Sequence, residues 1–354
     1  MNPVDLSSLL NSFAIIGKSE NLREEVISLC RKIEKELSLP NRSIRNEITG
    51  PIIDALHKDV GVLKKRLQSG VIFEFMYSSI ISRDFIMSPD VEPDHVWEPQ
   101  TTKLLVHLST HAKHVVIGGA YFGDHAILVA QKLAQSHGLC HAFEPNKKQL
   151  NALKRNSEIN KLTNIMFNEV GLWENDFTLL KLVGDDSHAH PEIDKEMSLK
   201  SFPTITIDTY GSQHDISSID LIMLDIEGAE LSALKGSSHY LSLAKDKAPK
   251  IVFEIHRNYV DWSNGLENTE IVNLLTEFGY YVFAIRDFQS NFPMDSHPIE
   301  LIPLERTYLE GPPHGFNMLA VKNLDIIEND FFKLCYDVSP KLLLHKDPNL
   351  HYPT

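Results

Sequence analysis

Hydrophobic residues follow two different periods along the chain, and the change of period divides it into regions. Before residue 95 the spacing is helical, with apolar positions three or four apart in residues 21–37 and 51–67, which predicts two helices. Residues 84–99 are acidic and contain three prolines, which predicts an exposed connector. We therefore expect a helical N-terminal region over residues 1–95.

From residue 113 onward, short apolar runs alternate with amphipathic segments, as in an α/β fold with a mostly parallel sheet and helices on both faces. The expected strands are 114–118, 139–144, 164–170, 221–225, 251–255, 280–285 and 316–321. The expected helices are 123–135, 147–160, 229–243 and 267–278. We place the main domain at residues 96–325 and a C-terminal tail at 326–354.

Two long segments, 184–203 and 286–315, have no evident helical or strand period. The first is acidic and typical of a solvated loop, and its His188 and His190 form a metal-like pair without a third ligand nearby, so a loop is favoured there. A loop as long as the second is unusual unless it serves a function. Both follow strands, so we expect them, with part of the N-terminal helices, to form a pocket for a substrate.

Residues 114–145 read as strand, glycine turn, helix, strand and acid. Gly118, Gly119 and Gly123 follow the first strand and allow close approach of a ligand to the backbone. Glu144 ends the second strand, where a carboxylate can accept from two ribose hydroxyls. The unit predicts a site for a ligand that contains a nucleoside, but it does not distinguish NAD from S-adenosylmethionine.

Further acids follow two later strands. Residues 219–236 read IDLIMLDIEGAELSALKG, which places Asp225, Glu227 and Glu230 at a strand end, and the next strand delivers Glu254 and His256. The carboxyl ends of parallel strands share one edge of the sheet, so these groups meet the glycine turn. They suit the removal of a proton from a polar substrate. Structural roles compete: Asp225 as a helix cap, Glu230 as support for a helix start, and His256 as a structural histidine.

The composition limits the binding partners and the cellular location that we expect. The net charge of −14 argues against nucleic acid as the main partner, and no apolar run is long enough for a membrane span. Residues 1–20 lack the pattern of a signal peptide. The three cysteines are scattered, which favours a reducing cytoplasm over a disulfide framework. We therefore expect a cytoplasmic protein.

Three segments, FEPNKKQLNALKRNSEINKLTNI, IDLIMLDIEGAELSALKG and IVFEIH, resemble the FkbM family of S-adenosylmethionine-dependent methyltransferases. The resemblance covers about residues 96–322. It implies the class I methyltransferase (Rossmann-like) fold, a seven-stranded sheet whose last strand is antiparallel, so that strands 280–285 and 316–321 lie side by side. It also implies methylation of a hydroxyl on a sugar, polysaccharide or natural product.

Carried over residue by residue, the resemblance implies a set of cofactor-binding residues: Glu98, Gly119, Ala120, Tyr121, Gly123, Glu144, Asn146, Gly171, Leu172, Asp225 and Glu227. One departure concerns the end of the first strand, where the family has Asp-x-Gly-Ala-Asn and this chain has Ile117 in place of the Asp and Tyr121 in place of the Asn. The family's Asp helps to hold the amino-acid end of the cofactor. Asp124 is the predicted substitute.

The first hypothesis is therefore a methyltransferase that uses S-adenosylmethionine and takes its catalytic base from His256, Asp225 or Glu254. A divalent metal held by Asp225 and neighbouring acids is a variation that oxygen ligands alone do not establish. The alternatives are a NAD-dependent Rossmann dehydrogenase and a non-catalytic binding protein that retains the fold. The apolar stripes of the N-terminal helices predict burial against the domain or in a homodimer.

Overall fold

The N-terminal region combines helices with a β-hairpin. The computed structural model describes residues 6–37, 39, 42–184, 190–195, 198, 201–310 and 315–354. In this region the helices are α1 (Leu6–Ile16), α2 (Glu20–Glu36), α3 (Gly50–His57) and α4 (Ile80–Ile86), and the antiparallel hairpin consists of β1 (Val62–Arg66) and β2 (Ile72–Met76). The expectation of a purely helical extension is thus corrected by the hairpin.

The first predicted helix agrees with α2, which begins after Ser19, whose hydroxyl accepts the N–H of Leu22. The second predicted helix, 51–67, is wrong in its second half, because α3 ends at His57 and β1 begins at Val62. Apolar residues at helical spacing are also compatible with a strand there. Pairing with β2 determines that the strand forms.

The expected exposed connector, 84–99, is also wrong over most of its length, because only residues 89–92 are exposed. Acidic composition suggested a solvated segment, yet Asp84 is buried and lies 3.3 Å from the guanidinium of Arg45. A paired acid of this kind can be buried where an unpaired one would cost several kcal/mol.

The main domain is built on a mixed sheet. Among the described residues its strands are β3 (His114–Gly118), β4 (Leu139–Phe143), β5 (Ile165–Asn168), β10 (Leu221–Leu224), β11 (Lys250–His256), β12 (Tyr281–Ile285), β13 (Ile299–Pro303), β14 (Gly315–Val321) and β15 (Phe332–Leu334). A smaller sheet contains β6 (Gly171–Leu172), β7 (Leu179–Val183), β8 (His190–Ile193) and β9 (Phe202–Ile205). The helices are α5 (Pro99–Leu108), α6 (Ala126–Ala134), α7 (Lys147–Ile159), α8 (Ile207–Gln213), α9 (Glu230–Lys235), α10 (Ser238–Leu241), α11 (Glu270–Glu277) and α12 (Pro348–His351).

The strand order of the main sheet is β15-β13-β12-β14-β11-β10-β3-β4-β5. The predicted neighbours β12 and β14 do lie side by side, and β14 runs antiparallel to both β11 and β12. The count differs from the expected seven, because β13 and β15 extend the sheet beyond β12. The strand β13 lies inside the second expected loop, 286–315.

Side chains of alternate residues in the strands pack on the two faces, each with its own core. One core joins α5, α6 and α7 to the N-terminal region, so that Ile27, Phe73 and Phe85 pack together with Leu104 and Ile127. The other core contains α8 to α11. The prediction of helices on both faces is confirmed. None of the described helices is long and apolar enough to cross a membrane.

Two further segments depart from expectation. The predicted helix 229–243 is divided into α9 and α10 at Gly236, where a Cβ atom would lie 2.2 Å from the carbonyl oxygen of Trp173. The predicted loop 184–203 contains β8 and the start of β9. His188 lies outside the described residues.

Candidate functional site

A cleft opens at the carboxyl ends of β3, β4 and β10. It encloses about 930 Å3, part of it open to solvent. Of the residues predicted to bind a cofactor, nine line it: Gly119, Tyr121, Asp124, Glu144, Asn146, Gly171, Leu172, Asp225 and Glu227. The sequence patterns on separate strands thus converge on one cavity, as the topology requires.

The glycine turn packs directly against the end of β10. Gly119 has a φ of +76°, and a Cβ atom on it would lie 1.7 Å from the carbonyl oxygen of Asp225. The N–H of Asp225 donates to the carbonyl oxygen of Gly118 at 3.1 Å. Gly119 is therefore required by the protein's own backbone, whatever ligand the cleft accepts.

Glu144 is held at the tip of β4 by two backbone donors. Its Oε2 accepts the N–H of Tyr121 at 2.9 Å, and its Oε1 accepts the N–H of Asn146 at 2.8 Å. Burial raises the pKa of Glu144 to about 7, against the lowering effect of these two bonds. Each carboxylate oxygen has a second lone pair, so the group can still accept from a ligand in the cleft.

One wall of the cleft is apolar. It is formed mainly by Phe143, Val170, Leu172, Leu180, Leu182, Pro191, Phe202 and Ile226. Gly171 is needed for this packing, since a Cβ atom there would lie 2.8 Å from the ring of Phe202. The sequence predicted Gly171 and Leu172 only, and four of the other members, Leu180, Leu182, Pro191 and Phe202, come from strands of the smaller sheet that the sequence did not predict. The wall suits a flat, weakly polar group.

The opposite part of the site is acidic. Asp225, Glu227 and Glu254 each place a carboxylate oxygen within 4.8 Å of the other two. Burial, together with the charges of Glu98 and Glu227, raises the pKa of Asp225 well above its usual value. The pKa of Glu254 is raised by burial and by Asp225. Oxygen ligands at this spacing could surround a metal ion, and they could equally share a proton between them.

Glu254 does not line the cleft itself but approaches it from behind, where its carboxylate lies against the backbone of Gly315. Lys341, in the C-terminal tail, lies close enough to Glu254 and Glu98 to interact with their charges. Burial lowers its pKa to about 7, while the charges of Glu254 and Glu98 act to raise it. The tail therefore contributes a basic group to the acidic side of the site.

Glu230 has the supporting position that its place at a helix start favours. Its two oxygens accept the N–H groups of Ile226 at 2.9 Å and Gly228 at 3.0 Å. These bonds fix the turn that carries Asp225 and Glu227 into the site.

His256 lies at the end of β11 but does not line the cleft. Its Nδ1 accepts the N–H of Asn258 at 3.0 Å, and its ring packs against Tyr259 with centroids 5.3 Å apart. The hydroxyl of Tyr259 lies 3.4 Å from Glu227. These contacts place the imidazole beside the acids without directing Nδ1 toward the cavity.

Ala120, Gly123 and Glu98 are also outside the lining of the cleft. Ala120 donates its N–H to the carbonyl oxygen of Phe143, and a Cβ atom on Gly123 would lie 2.6 Å from Leu153, so both serve the packing of the turn. Glu98 is buried, and its Oε2 accepts from the Nδ2 of Asn317 at 2.7 Å.

His125 is the residue that sequence reasoning missed. It follows Asp124 directly, lines the cleft, and is 6% exposed. Asp124 and Glu98 raise its pKa to about 9 against the effect of burial, so the ring carries a positive charge at neutral pH. The signal available in the sequence was its place beside an acid just after the glycine turn.

None of the described residues of the second expected pocket segment, 286–310 and 315, lines the cleft. Phe288 and Met294 pack with Leu342 in a small core of their own, and Arg286 is fully buried. The expectation that residues 286–315 line a substrate pocket is therefore not met by these side chains, because they support the C-terminal tail instead.

Comparison with known proteins gives a family for the central part of the chain. Residues 118–282 match the family model described as the methyltransferase FkbM domain, which confirms the resemblance predicted from the sequence. No curated protein matches the chain.

Solved structures are matched at low identity. An FkbM methyltransferase from Methylobacillus flagellatus is 22% identical over 41% of this chain and 33% of its own, with a TM-score of 0.29, so this chain spans about a third of its length. M. jannaschii TYW2, in complex with AdoMet, is 14% identical over 73% of this chain and 85% of its own, with a TM-score of 0.34. A precorrin-6y C5,15-methyltransferase from Geobacter metallireducens is 12% identical over 63% and 89%, also with a TM-score of 0.34.

Proposed function

We propose that this chain, whose residues 118–282 match the FkbM methyltransferase domain, transfers a methyl group from S-adenosylmethionine to a hydroxyl group of a sugar, polysaccharide or natural product. The observation that carries the proposal is one cleft in which a strand-tip carboxylate, an apolar wall and the half-buried acids Asp225 and Glu227 face one another. The first two suit a nucleoside, and the third suits the loss of a proton.

The residues present fit such a cofactor. Glu144 would accept from the ribose hydroxyls, with Asn146 beside it, and the wall around Leu172, Leu182 and Phe202 would receive the adenine. When bound, S-adenosylmethionine supplies a methyl group on a positively charged sulfur. The chain's contribution is to hold an acceptor oxygen in line and to take its proton.

Asp225 is the proposed proton acceptor, because it lines the cleft and its raised pKa makes it a stronger base than an exposed carboxylate. Glu254 lies behind it and would share the proton. We propose a supporting role for His256, since Nδ1 is already bonded to the backbone.

Calorimetric titration with S-adenosylhomocysteine and with NAD tests the cofactor. We expect binding of the first only, and a loss of about tenfold to a hundredfold in Glu144→Ala, since a hydrogen bond to a charged group is worth roughly 1.5–3 kcal/mol. Glu277→Ala, an exposed acid on α11, is the control and should bind as wild type does. Binding of NAD alone, or full affinity in Glu144→Ala, would contradict the proposal.

The reaction is tested by mass spectrometry of a pool of sugars and natural products for the gain of one methyl group. With an acceptor found, Asp225→Asn should lower kcat by about 10²–10⁴-fold while the affinity for S-adenosylhomocysteine stays within a few-fold. His256→Ala should lower it far less. The reverse order would move the base to His256, and loss of activity with a chelator would assign the acids to a metal.

A further inference from the structure

We propose that Tyr259 and Glu227 bind the acceptor at the mouth of the cleft, and that the acceptor is a ring with two neighbouring hydroxyl groups, as in a sugar. The apolar face of this ring lies against the side chain of Tyr259, one hydroxyl binds Glu227, and the next faces Asp225. This inference rests on the proposed function. It moves Glu227 from the cofactor, where the family resemblance places it, to the acceptor.

Tyr259 follows β11 and packs directly on the turn that carries Glu227. A Cβ atom on Gly228 would lie 2.6 Å from Cγ of Tyr259 and 2.9 Å from Cδ1, so only a glycine leaves room for the aromatic side chain there. The N–H of Tyr259 donates to the carbonyl oxygen of His256 at 3.0 Å, which holds the backbone from which the ring projects. The ring therefore has a defined position beside the cleft.

The ring of Tyr259 lies between two elements that line the cleft. On one side its hydroxyl is 3.4 Å from Oε2 of Glu227, a lining residue. On the other side its centroid is 5.8 Å from the ring of His190, which precedes the lining residue Pro191 in β8. Tyr259 is outside the lining and 37% exposed. An aromatic ring that is held in place and still accessible offers an apolar face to a second ligand.

Glu227 is held in a backbone conformation that a glutamate rarely adopts. Its φ is +52°, in the left-handed region, where a Cβ atom is unfavourable and a glycine would avoid the cost. The two hydrogen bonds that Glu230 accepts from the turn hold this conformation. Backbone strain of this kind at the edge of a cleft indicates that the side chain serves a function.

The hydroxyl of Tyr259 keeps its proton at neutral pH. Partial burial, and after it the charge of Glu227, raise the pKa of Tyr259 to about 12. The hydroxyl therefore donates to Glu227 and orients its carboxylate. A carboxylate has two oxygens with about four acceptor sites, so Glu227 can also accept from a hydroxyl group of the acceptor.

The spacing of the acids indicates how many hydroxyl groups the acceptor presents. Glu227 and Asp225 both line the cleft and place carboxylate oxygens within 4.8 Å of each other. Two neighbouring hydroxyls on one ring can each donate to one of them. The hydroxyl on Asp225 gives up its proton in the transfer, and the hydroxyl on Glu227 positions the ring. A simple alcohol leaves Glu227 without a ligand donor, and a linear polyol offers no flat face to Tyr259.

The test uses full-length protein saturated with S-adenosylhomocysteine and measures the binding of small probes by saturation-transfer NMR titration. The probes are the methyl glycosides of glucose, galactose and mannose, trans-1,2-cyclohexanediol, cyclohexanol and the linear polyol sorbitol. The variants are Tyr259→Ala, Tyr259→Phe and Glu227→Ala. The control is Tyr281→Ala, because Tyr281 is 52% exposed at the amino end of β12, away from the carboxyl ends of the strands where the cleft opens.

We expect wild type to bind at least one glycoside and the cyclohexanediol, and to bind cyclohexanol and sorbitol about tenfold more weakly or less. Tyr259→Ala and Glu227→Ala should each weaken the glycoside about tenfold, and Tyr259→Phe about threefold, since it keeps the ring and loses only the hydroxyl. Tyr281→Ala should bind as wild type does. The affinity for S-adenosylhomocysteine should stay the same in all four variants.

Kinetics with a methylated glycoside separate this role from catalysis. Tyr259→Ala should raise KM for the acceptor about tenfold and leave kcat within a few-fold, because the ring binds the acceptor and takes no part in the proton transfer. Asp225→Asn should show the reverse. A fall in kcat with an unchanged KM in Tyr259→Ala would contradict a binding role.

Unchanged glycoside affinity in Tyr259→Ala and Glu227→Ala would overturn the inference, and so would equal binding of sorbitol or cyclohexanol. Protein that binds S-adenosylhomocysteine but none of the glycosides would overturn it while leaving the proposed function intact. Weaker S-adenosylhomocysteine binding in Glu227→Ala would return this residue to the cofactor. Wild type that does not bind S-adenosylhomocysteine would contradict the proposed function, and this inference with it.

Discussion

Two segments look alike in the sequence and serve opposite purposes in the structure. The strands β7, β8 and β9 belong to the smaller sheet, and four of their side chains, Leu180, Leu182, Pro191 and Phe202, line the cleft. Residues 286–303 include β13 at their end, and Arg286, Phe288 and Met294 are buried and contact the C-terminal tail. The first segment forms part of a binding surface, and the second holds the far edge of the main sheet.

The two segments differ in whether a charged side chain is buried within them. In the second segment Arg286 is fully buried, bonded to Glu300 at 3.0 Å and to the carbonyl oxygens of Ser339 and Leu350. In the first, the apolar side chains of Leu182 and Pro191 remain partly accessible in the cleft. A long segment without an evident period can therefore either line a cleft or hold the edge of a sheet. A buried charged side chain whose hydrogen bonds are all satisfied indicates the second kind of segment, and residues 286–303, which contain Arg286, are called the clamp below.

The largest effect is expected where the clamp is broken. Arg286→Met should lower the free energy of unfolding by about 3–5 kcal/mol, because Glu300 is left buried with an unpaired charge. Urea unfolding measures it. The double variant Arg286→Met with Glu300→Leu should recover part of the loss. A loss below about 1 kcal/mol, within the range of ordinary surface changes, would refute the role of the pair.

A smaller effect, on ligand affinity instead of stability, is expected in the apolar wall of the cleft. Leu182→Ala should weaken S-adenosylhomocysteine binding about tenfold, because a ligand loses apolar contact with a leucine side chain. The free energy of unfolding should change by about 1 kcal/mol or less, since Leu182 is only partly buried. Calorimetry and urea unfolding on the same sample separate the two quantities. A lower free energy of unfolding with an unchanged affinity for S-adenosylhomocysteine would show that this segment also serves the stability of the fold and not the binding of the ligand.

The last effect concerns the dependence of stability on pH. Burial raises the pKa of Glu144 in the cleft and of Asp287 in the clamp to about 7, above the value of about 4 expected in the unfolded chain. Their contribution to stability is therefore full below about pH 4 and is lost as pH rises to about 7. Glu144→Gln and Asp287→Asn should each flatten that decline in urea unfolding at pH 5, 6 and 7.

The ligand distinguishes the two acids. Saturating S-adenosylhomocysteine should reduce the decline due to Glu144, because hydrogen bonds from ribose favour its charged form. The decline due to Asp287 should persist, since its oxygens accept from backbone N–H groups of Gln100, Thr101 and Phe288. An equal response of both to the ligand would show that Glu144 does not contact it.

The central part of the fold could be predicted because its signals are local. The strand β3 was predicted with its observed bounds, and α7 differs from expectation by one residue, since an apolar run and an amphipathic period are properties of adjacent residues. The strands β1, β13 and β15 were missed, because each is stabilised by pairing with a strand elsewhere in the chain.

The residues of the site likewise include some that could be predicted from the sequence and some that could not. Glu144 and Asp225 could be placed on one rim from the order of strands alone. The charge of His125 could be predicted only in part, because the adjacent Asp124 raises the pKa of the ring, but Glu98, which precedes it by 27 residues and also raises that pKa, meets it only in the folded protein. The supporting contacts of His256 depend likewise on Tyr259 and the turn after β11.

The contact between Gly119 and the carbonyl oxygen of Asp225 has a consequence for engineering. The two loops touch through main chain, so the side chain of Asp225 can be exchanged without disturbing the glycine turn, but no side chain can be introduced at position 119. A library aimed at new acceptors can therefore vary Glu227 and should keep this glycine, the proposed base Asp225 and the supporting Glu230. Under the proposed function, binding of the cofactor and choice of the acceptor can then be altered by separate sets of substitutions.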